Sequence, residues 1–131
     1  MLIPIAKNSP LPAYQQMFNN IEKKILTGEL QPEDPLPSIR QLAQDNLVSI
    51  ITVRRAYSEL ERKHLIYSRP GLGSFVAQLD AGRRREMQIE LLRPLLVETV
   101  RKARELNIDP ARLMDLLSDI IREFYAKGGE K

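Results

Sequence analysis

Residues 48–57, VSIITVRRAY, combine a helix-capping serine, two isoleucines and two adjacent arginines. Ser49 can cap a helix because its hydroxyl can accept a hydrogen bond from a backbone amide in the first turn. At about 100° per residue, one face of the resulting helix is apolar. That face carries Val53, Ala56, Tyr57 and Leu60. The stretch therefore predicts a helix over residues 49–63 with one buried side.

The opposite face of this helix is mixed. It carries Ile51, Arg55, Ser58 and Arg62, with Arg54 at one flank and Thr52 and Glu59 at the other. Ile50 lies near the inward edge, whereas Ile51 projects outward one turn ahead of Arg55. Such a pair suits the DNA major groove, since arginine donates to guanine or phosphate and an apolar side chain contacts the thymine methyl. A stray exposed hydrophobe is the alternative, and helix geometry does not decide between them.

The flanking sequence completes a winged helix-turn-helix. A first helix is predicted over residues 13–27, and a second, short helix follows Ser38 and breaks at Asp45 and Asn46. A brief turn then leads into the helix described above, which is the helix-turn-helix pattern. Two strand-like runs around a Pro-Gly turn, at about residues 66–77, predict a β-hairpin. We expect a DNA-binding domain over residues 1–79.

Residues 80–131 predict a two-helix tail. Its first helix contains Pro94, which should kink or split it, and its second begins at Pro110 after the capping residue Asp109. A two-helix hairpin can hide part of each apolar stripe, and pairing two hairpins in a homodimer would bury the surplus. The predicted dimerisation residues are Leu92, Leu96, Leu113, Leu117, Ile120, Ile121 and Phe124. A symmetric dimer predicts a palindromic operator.

Composition excludes several classes of protein. Hydrophobic content is 43% and charged content 28%, as in globular proteins, and there is no cysteine. No apolar run is long enough for a membrane span and no secretory signal is recognisable, so we expect a cytoplasmic protein with no membrane association. The sequence contains no nucleophile-base set, phosphate-cradling loop or ligand cluster, so we expect no enzyme, no cofactor and no metal site.

Charge is concentrated where the helix-turn-helix lies. The whole chain has a net charge of +3, but residues 40–69 hold six Lys or Arg against three acids. The net charge of the chain is explained equally well by a mixed-charge solvated surface and by an anionic partner. The local excess favours contact with DNA.

Residues 28–76 resemble the N-terminal DNA-binding domain of the GntR family of bacterial transcription regulators. The matching elements are Leu36-Pro37-Ser38 with Arg40, Leu42-Ala43, Val48-Ser49, Thr52-Val53, Ala56-Tyr57, Leu60-Glu61, Leu65-Ile66 and the wing 71-GLGSFV-76. The short tail resembles that of the YtrA subfamily, in which the tail chiefly dimerises. The resemblance implies a double-stranded DNA operator as partner, with Arg40 at a DNA-contacting position of the family. Taken with the helix geometry, the caps and the wing turn, the predicted DNA-binding residues are Ser38, Arg40, Ser49, Ile51, Thr52, Arg54, Arg55, Arg69 and Gly71.

Four positions depart from the family pattern. Asn46-Leu47 replaces the usual Leu-Gly, so the turn between the two helices is altered. Ile50 stands where many members have an arginine that contacts DNA. His64 stands where glycine is usual, at a helix end that favours a left-handed residue, and histidine tolerates that conformation.

Two functions of different classes remain open. The first is a dimeric, sequence-specific transcription regulator, most simply a repressor, with an unidentified small-molecule effector as a further partner. The second is a winged-helix adaptor that docks on protein without reading DNA. The basic outward face of residues 49–63 favours the first.

Overall fold

The computed structural model describes residues 1–126. Within them the order of elements is α1 (Ala13–Leu26), α2 (Ile39–Asn46), α3 (Ile50–Arg62), β1 (Ile66–Arg69), β2 (Gly73–Val76), α4 (Ala81–Glu105) and α5 (Pro110–Tyr125). This order confirms the predicted fold class, a mainly α winged helix-turn-helix followed by two tail helices. The chain divides into two compact units, Met1–Met87 and the residues from Gln88 onward.

The core of the first unit forms where α1 and α2 pack against α3. Its most deeply buried side chains are Met17, Ile21, Ile25, Leu42, Val53, Leu60, Leu65, Ile66, Val76 and Met87. The inward stripe predicted for α3 is confirmed, because Val53, Ala56, Tyr57 and Leu60 are all buried. Burial of this stripe fixes which residues of α3 face outward.

Serine caps begin both helices of the helix-turn-helix, as predicted. The Ser38 hydroxyl accepts a hydrogen bond from the Gln41 amide at 3.0 Å, and the Ser49 hydroxyl accepts one from the Thr52 amide at 3.0 Å. Each bond satisfies one of the backbone donors that the first turn of a helix leaves without a partner. The starts of α2 and α3 are therefore both fixed by local hydrogen bonds.

The end of α2 differs from the expectation. The helix continues through Asp45 and Asn46 and ends at Leu47, which is left-handed with φ 54°. The side-chain amide of Asn46 donates both to the carbonyl of Leu42, one turn earlier in α2, and to the carbonyl of Met1, so its hydrogen bonds hold the last turn of the helix. The left-handed residue predicted after α3 is confirmed at His64, with φ 61°.

An N-terminal segment packs onto the end of α2. Ile3 is buried in the core, and its amide donates to the side-chain oxygen of Asn46 at 2.7 Å. Asn46 therefore joins the N-terminal segment to the last turn of α2. No local pattern in the sequence predicts this contact, since the partners are over forty residues apart.

The loop between α1 and α2 extends the β-hairpin. Strands β1 and β2 pair antiparallel, with Ile66 opposite Val76 and Arg69 opposite Gly73. The loop runs beside β2, where the Leu36 amide donates to the Ser74 carbonyl and the Glu33 amide to the Val76 carbonyl. The proline-rich connection is thus held to the wing by backbone hydrogen bonds.

The start of α4 belongs to the first compact unit. Asp80 caps the helix by accepting from the Arg83 amide at 2.8 Å, and Met87 is buried in the core. The guanidinium of Arg84 donates to the Ile25 carbonyl at 2.9 Å, so it satisfies an acceptor at the C-terminus of α1. These contacts extend past residue 79, and the assignment of domains to residues 1–79 and 80–131 remains a prediction.

The second unit leaves its apolar side chains exposed. Helix α4 runs through Pro94 without splitting, and α5 is capped by Asp109, which accepts from the Arg112 amide. The expectation that the two helices hide part of each other's stripe is wrong for the described residues. Helix α5 buries none of its side chains, and Ala103 is the sole buried residue from Gln88 to Ala126. Within residues 1–126, no helix combines the length and hydropathy needed to cross a bilayer.

Tyr57 provides a test of how α2 is held to α3. Its hydroxyl donates to the Pro37 carbonyl at 2.7 Å, just before α2, and burial raises the pKa of this phenol. Tyr57→Phe should lower the free energy of unfolding by about 1–2 kcal/mol, because the carbonyl loses its donor. Urea denaturation would measure the change. The control is Tyr14→Phe, because the Tyr14 hydroxyl has no hydrogen-bond partner among the described residues. An equal loss of unfolding free energy in both variants would contradict the role of Tyr57.

Candidate nucleic-acid interface

The outward face of α3 is exposed as its spacing predicts. Ile51 is 73% exposed, and Arg54, Arg55, Ser58 and Arg62 are exposed beside it. Ile50 is 39% exposed, so it lies at the margin of the core and not within it. The first turn of α3 therefore presents two isoleucines to the surroundings.

Thr52 takes part in the cap that starts α3. Its hydroxyl lies 3.0 Å from the Ser49 hydroxyl, which also accepts from the Thr52 amide. Ser49 is exposed, and Thr52 is half-buried. The structure thus shows the capping function of both residues.

Arg55 is held in place by an aromatic ring of α1. Its guanidinium carbon lies 3.9 Å from the ring centroid of Tyr14, a distance at which the cation is attracted to the ring face. The neighbouring acid Glu59 pairs with Arg62 at 2.7 Å instead. Among residues 1–126 no carboxylate pairs with Arg55, and its guanidinium lies over the ring of Tyr14. Sequence reasoning missed this contact, because it joins two helices that are distant along the chain.

Arg40 and Arg54 are exposed and free of internal partners. Within residues 1–126 neither makes a hydrogen bond, an ion pair or a contact with an aromatic ring. Arg40 lines a shallow groove with Gln44, Leu47 and Ile50, which joins α2 to the start of α3. Two unpaired guanidinium groups therefore flank the exposed isoleucines.

The wing adds one arginine, Arg69, near its tip. Arg69 lies 5.6 Å from the ring of Tyr67 and 5.7 Å from that of Phe75. Pro70 and Gly71 follow it in a turn closed by a hydrogen bond from the Leu72 amide to the Arg69 carbonyl. Gly71 has φ 77°, which the third residue of a type II turn requires. The tight turn leaves the backbone of Gly71 open to a close approach.

The base of the wing is fixed by a tyrosine. The Tyr67 hydroxyl donates to the Glu33 carboxylate, and this hydrogen bond raises the pKa of the phenol. Tyr67 also stacks on Phe75, with ring centroids 5.7 Å apart. Arg69 is therefore positioned by the rings of Tyr67 and Phe75. These rings are in turn linked to the loop between α1 and α2.

A capped helix with an exposed basic face, preceded by a short helix and followed by a hairpin, defines a winged helix-turn-helix module. The sequence model of the "Bacterial regulatory proteins, gntR family" matches residues 13–76. The repressor YtrA of Bacillus subtilis is 28% identical over 99% of this chain and 98% of its own length. The repressor NagR of the same organism is 43% identical over 56% of this chain, which covers 30% of NagR.

Solved structures agree with these relatives. YtrA from Sulfolobus acidocaldarius, a GntR-family transcription factor, is 32% identical with a TM-score of 0.58, over 73% of this chain and 99% of that protein. The DNA-binding domain of AraR in complex with an operator is 33% identical with a TM-score of 0.52, over 59% and 95% of the two chains. The chain belongs to the GntR family, in its YtrA subfamily, and is a DNA-binding transcription regulator.

Arg55 gives the first test of the interface. Arg55→Ala should weaken binding to a preferred operator by about 1–3 kcal/mol if the ordered guanidinium reads a base. Affinity would be measured on the operator and on a scrambled duplex of equal length. The control is Arg62→Ala, which removes an arginine already paired with Glu59. An unchanged ratio between the two duplexes would leave Arg55 as a phosphate contact, and no loss on either would remove it from the interface.

Ile51 gives the second test. Its exposure predicts that Ile51→Ala leaves stability nearly unchanged, whereas a buried isoleucine would cost about 2–5 kcal/mol. Operator affinity should fall if the side chain packs on a thymine methyl. Replacing that thymine by uracil should weaken binding by the wild-type protein and leave the affinity of Ile51→Ala unchanged. Equal losses for both proteins on the uracil duplex would end the methyl-contact hypothesis.

Proposed function

We propose that this protein is a dimeric, sequence-specific repressor that binds a palindromic operator through α3 and the wing, at about residues 66–77. The observation that carries the proposal is the outward face of α3, where Ile51 is exposed beside Arg54 and Arg55. This face offers both hydrogen-bond donors for guanine or phosphate and an apolar contact for thymine. The relatives YtrA and NagR are described as repressors, which supports the direction of regulation.

Phosphate contacts would set the position of α3 in the major groove. Arg40 and the cap hydroxyl of Ser38 lie at the start of α2, and Ser49 and Thr52 lie at the start of α3. Exposed hydroxyls and unpaired cations at helix N-termini are suited to phosphate oxygens. These four residues would fix the register of the protein on the duplex, and the outward side chains of α3 would contact the base edges.

The wing would bind beside the groove that α3 occupies. Arg69 is exposed at its tip and supplies a cation for a phosphate, and Gly71 lets the backbone come close to the wall of the minor groove. Contacts of this kind add affinity that is independent of sequence and sensitive to salt. Specificity would thus come chiefly from α3.

The tail supports assembly into a homodimer. The predicted interface residues stay exposed in the single chain, from 38% for Leu117 to 67% for Phe124, and Leu92, Leu96, Ile120 and Ile121 lie between. Leu113 is half-buried. Apolar stripes on two successive helices are typical of four-helix assemblies, in which each pair buries the other's stripe. A twofold dimer would place two reading heads on half-sites about 10 bp, or a multiple of that, apart.

Selection from random-sequence DNA is the experiment that tests the proposal. The full-length protein should enrich one sequence with two inverted half-sites, and footprinting should protect both. Binding should weaken steeply with salt, because cations contact phosphates. Enrichment of no sequence, with salt-insensitive capture of proteins instead, would favour the adaptor function.

Charged substitutions in the tail test the dimer. Leu96→Glu and Ile120→Glu should each convert the full-length protein to a monomer, because a carboxylate would have to be buried at the interface. The operator affinity of these variants should fall by about a hundredfold or more, since the second head no longer binds intramolecularly. Sedimentation analysis measures assembly. Arg112→Glu, which lies outside the apolar stripe of α5, is the control and should stay dimeric. A monomeric wild type would overturn the dimer.

A further inference from the structure

Leu47 combines two features that seldom occur in one residue. It is left-handed, with φ 54°, and its side chain is 92% exposed. A leucine in this conformation is strained because its Cβ crowds the backbone, whereas glycine adopts it freely. The exposed side chain also gains almost no burial from the fold. The folded chain by itself therefore gives no reason for a leucine at this position.

Other left-handed residues of the chain differ from Leu47 in chemistry. Among the described residues the non-glycine positions with positive φ are Glu33, Leu47, His64 and Asn107. Asn107 is a residue type that tolerates the conformation, and Glu33 accepts a hydrogen bond from Tyr67. Leu47 alone of these four is apolar. Because the fold of the chain does not account for this backbone strain, a contact with another molecule is the place to look for its function.

The surroundings of Leu47 indicate that function. It lines the shallow groove with Arg40, Gln44 and Ile50, at the edge of the proposed DNA interface. Arg40 has no partner within the described residues, and Ile51 continues the apolar surface onto α3. An apolar strip beside an unpaired cation is complementary to a DNA groove wall, where phosphates lie next to the thymine methyl.

We propose that Leu47 is a specificity-determining residue that packs against a thymine methyl in the major groove, next to the contact made by Ile51. This inference rests on the proposed function of α3 in reading DNA. Leu47 gains contacts only when DNA is bound, so the strain of the free turn is compensated in the complex. The apolar tip formed by Leu47, Ile50 and Ile51 would then contact methyl groups of the operator.

The test measures both the stability and the DNA affinity of variants of the full-length chain. Leu47→Gly relieves the strained turn, so its melting temperature should rise by roughly 2–6 °C. The same variant should bind the duplex selected by the wild type about five-fold more weakly, because an apolar contact is lost. Leu47→Asn, which keeps a side chain that tolerates positive φ, should show the same opposed changes. His64→Gly is the matched control and should gain stability with unchanged affinity.

Uracil substitution identifies the contact. Each thymine of the selected duplex is replaced in turn by deoxyuridine, which removes the methyl group alone. Wild-type protein should lose affinity at one position where Leu47→Asn is indifferent, and that position should differ from the one assigned to Ile51. A scrambled duplex of equal length should bind wild type and variants alike.

The outcomes separate the inference from the function on which it rests. Higher stability with unchanged affinity for the selected duplex would overturn the role of Leu47 and leave the function of α3 intact. Equal losses on the selected and scrambled duplexes would overturn base reading by Leu47. A wild type that selects no sequence at all would overturn the proposed function, and the inference with it.

Discussion

The inward stripe of α3 is the constraint on which the rest of the structure depends. Val53 and Ala56 are fully buried between α1 and α2, and Leu60 is fully buried one turn further on. A helix fixed along one side has no freedom to rotate, so the burial of these residues determines that Ile51 and Arg55 face outward. The surface that we propose to read DNA is therefore oriented by residues that are buried in the core.

Polar contacts between distant segments then fix the ends of the helices. Asn46 ties the N-terminal segment to α2, Tyr57 holds the residue before α2, and Arg84 satisfies the end of α1. Arg84 donates to a carbonyl in the last turn of α1 to which the helix itself supplies no donor, whereas Asn46 and Tyr57 bond to backbone groups of the segments next to α2. The packing of the stripe orients α3, and these hydrogen bonds set how far α2 and its turn can move relative to it.

The local features of the fold could be predicted because their causes are local. Ser38 and Ser49 cap helices through amides three residues away, and the wing turn follows from adjacent Pro70 and Gly71. The cation–π contact of Arg55 with Tyr14 could not be predicted, since its geometry exists only after α1 has packed on α3. The extension of α2 through Asn46 was missed for the same reason, because its side chain finds partners in a distant segment.

The tail links folding to assembly. Helix α5 has 16 residues and buries none of them within the single chain, whereas most of the stability of a protein helix comes from packing of its apolar face. In the proposed dimer, a second copy would supply this packing through the exposed stripe. Under the proposed function, dilution of the protein would dissociate the dimer. The tail helices would then lose their packing, and the two DNA-binding domains would separate. Operator occupancy would then fall more steeply with protein concentration than one binding step allows, so the amount of regulator would itself act as a control on repression.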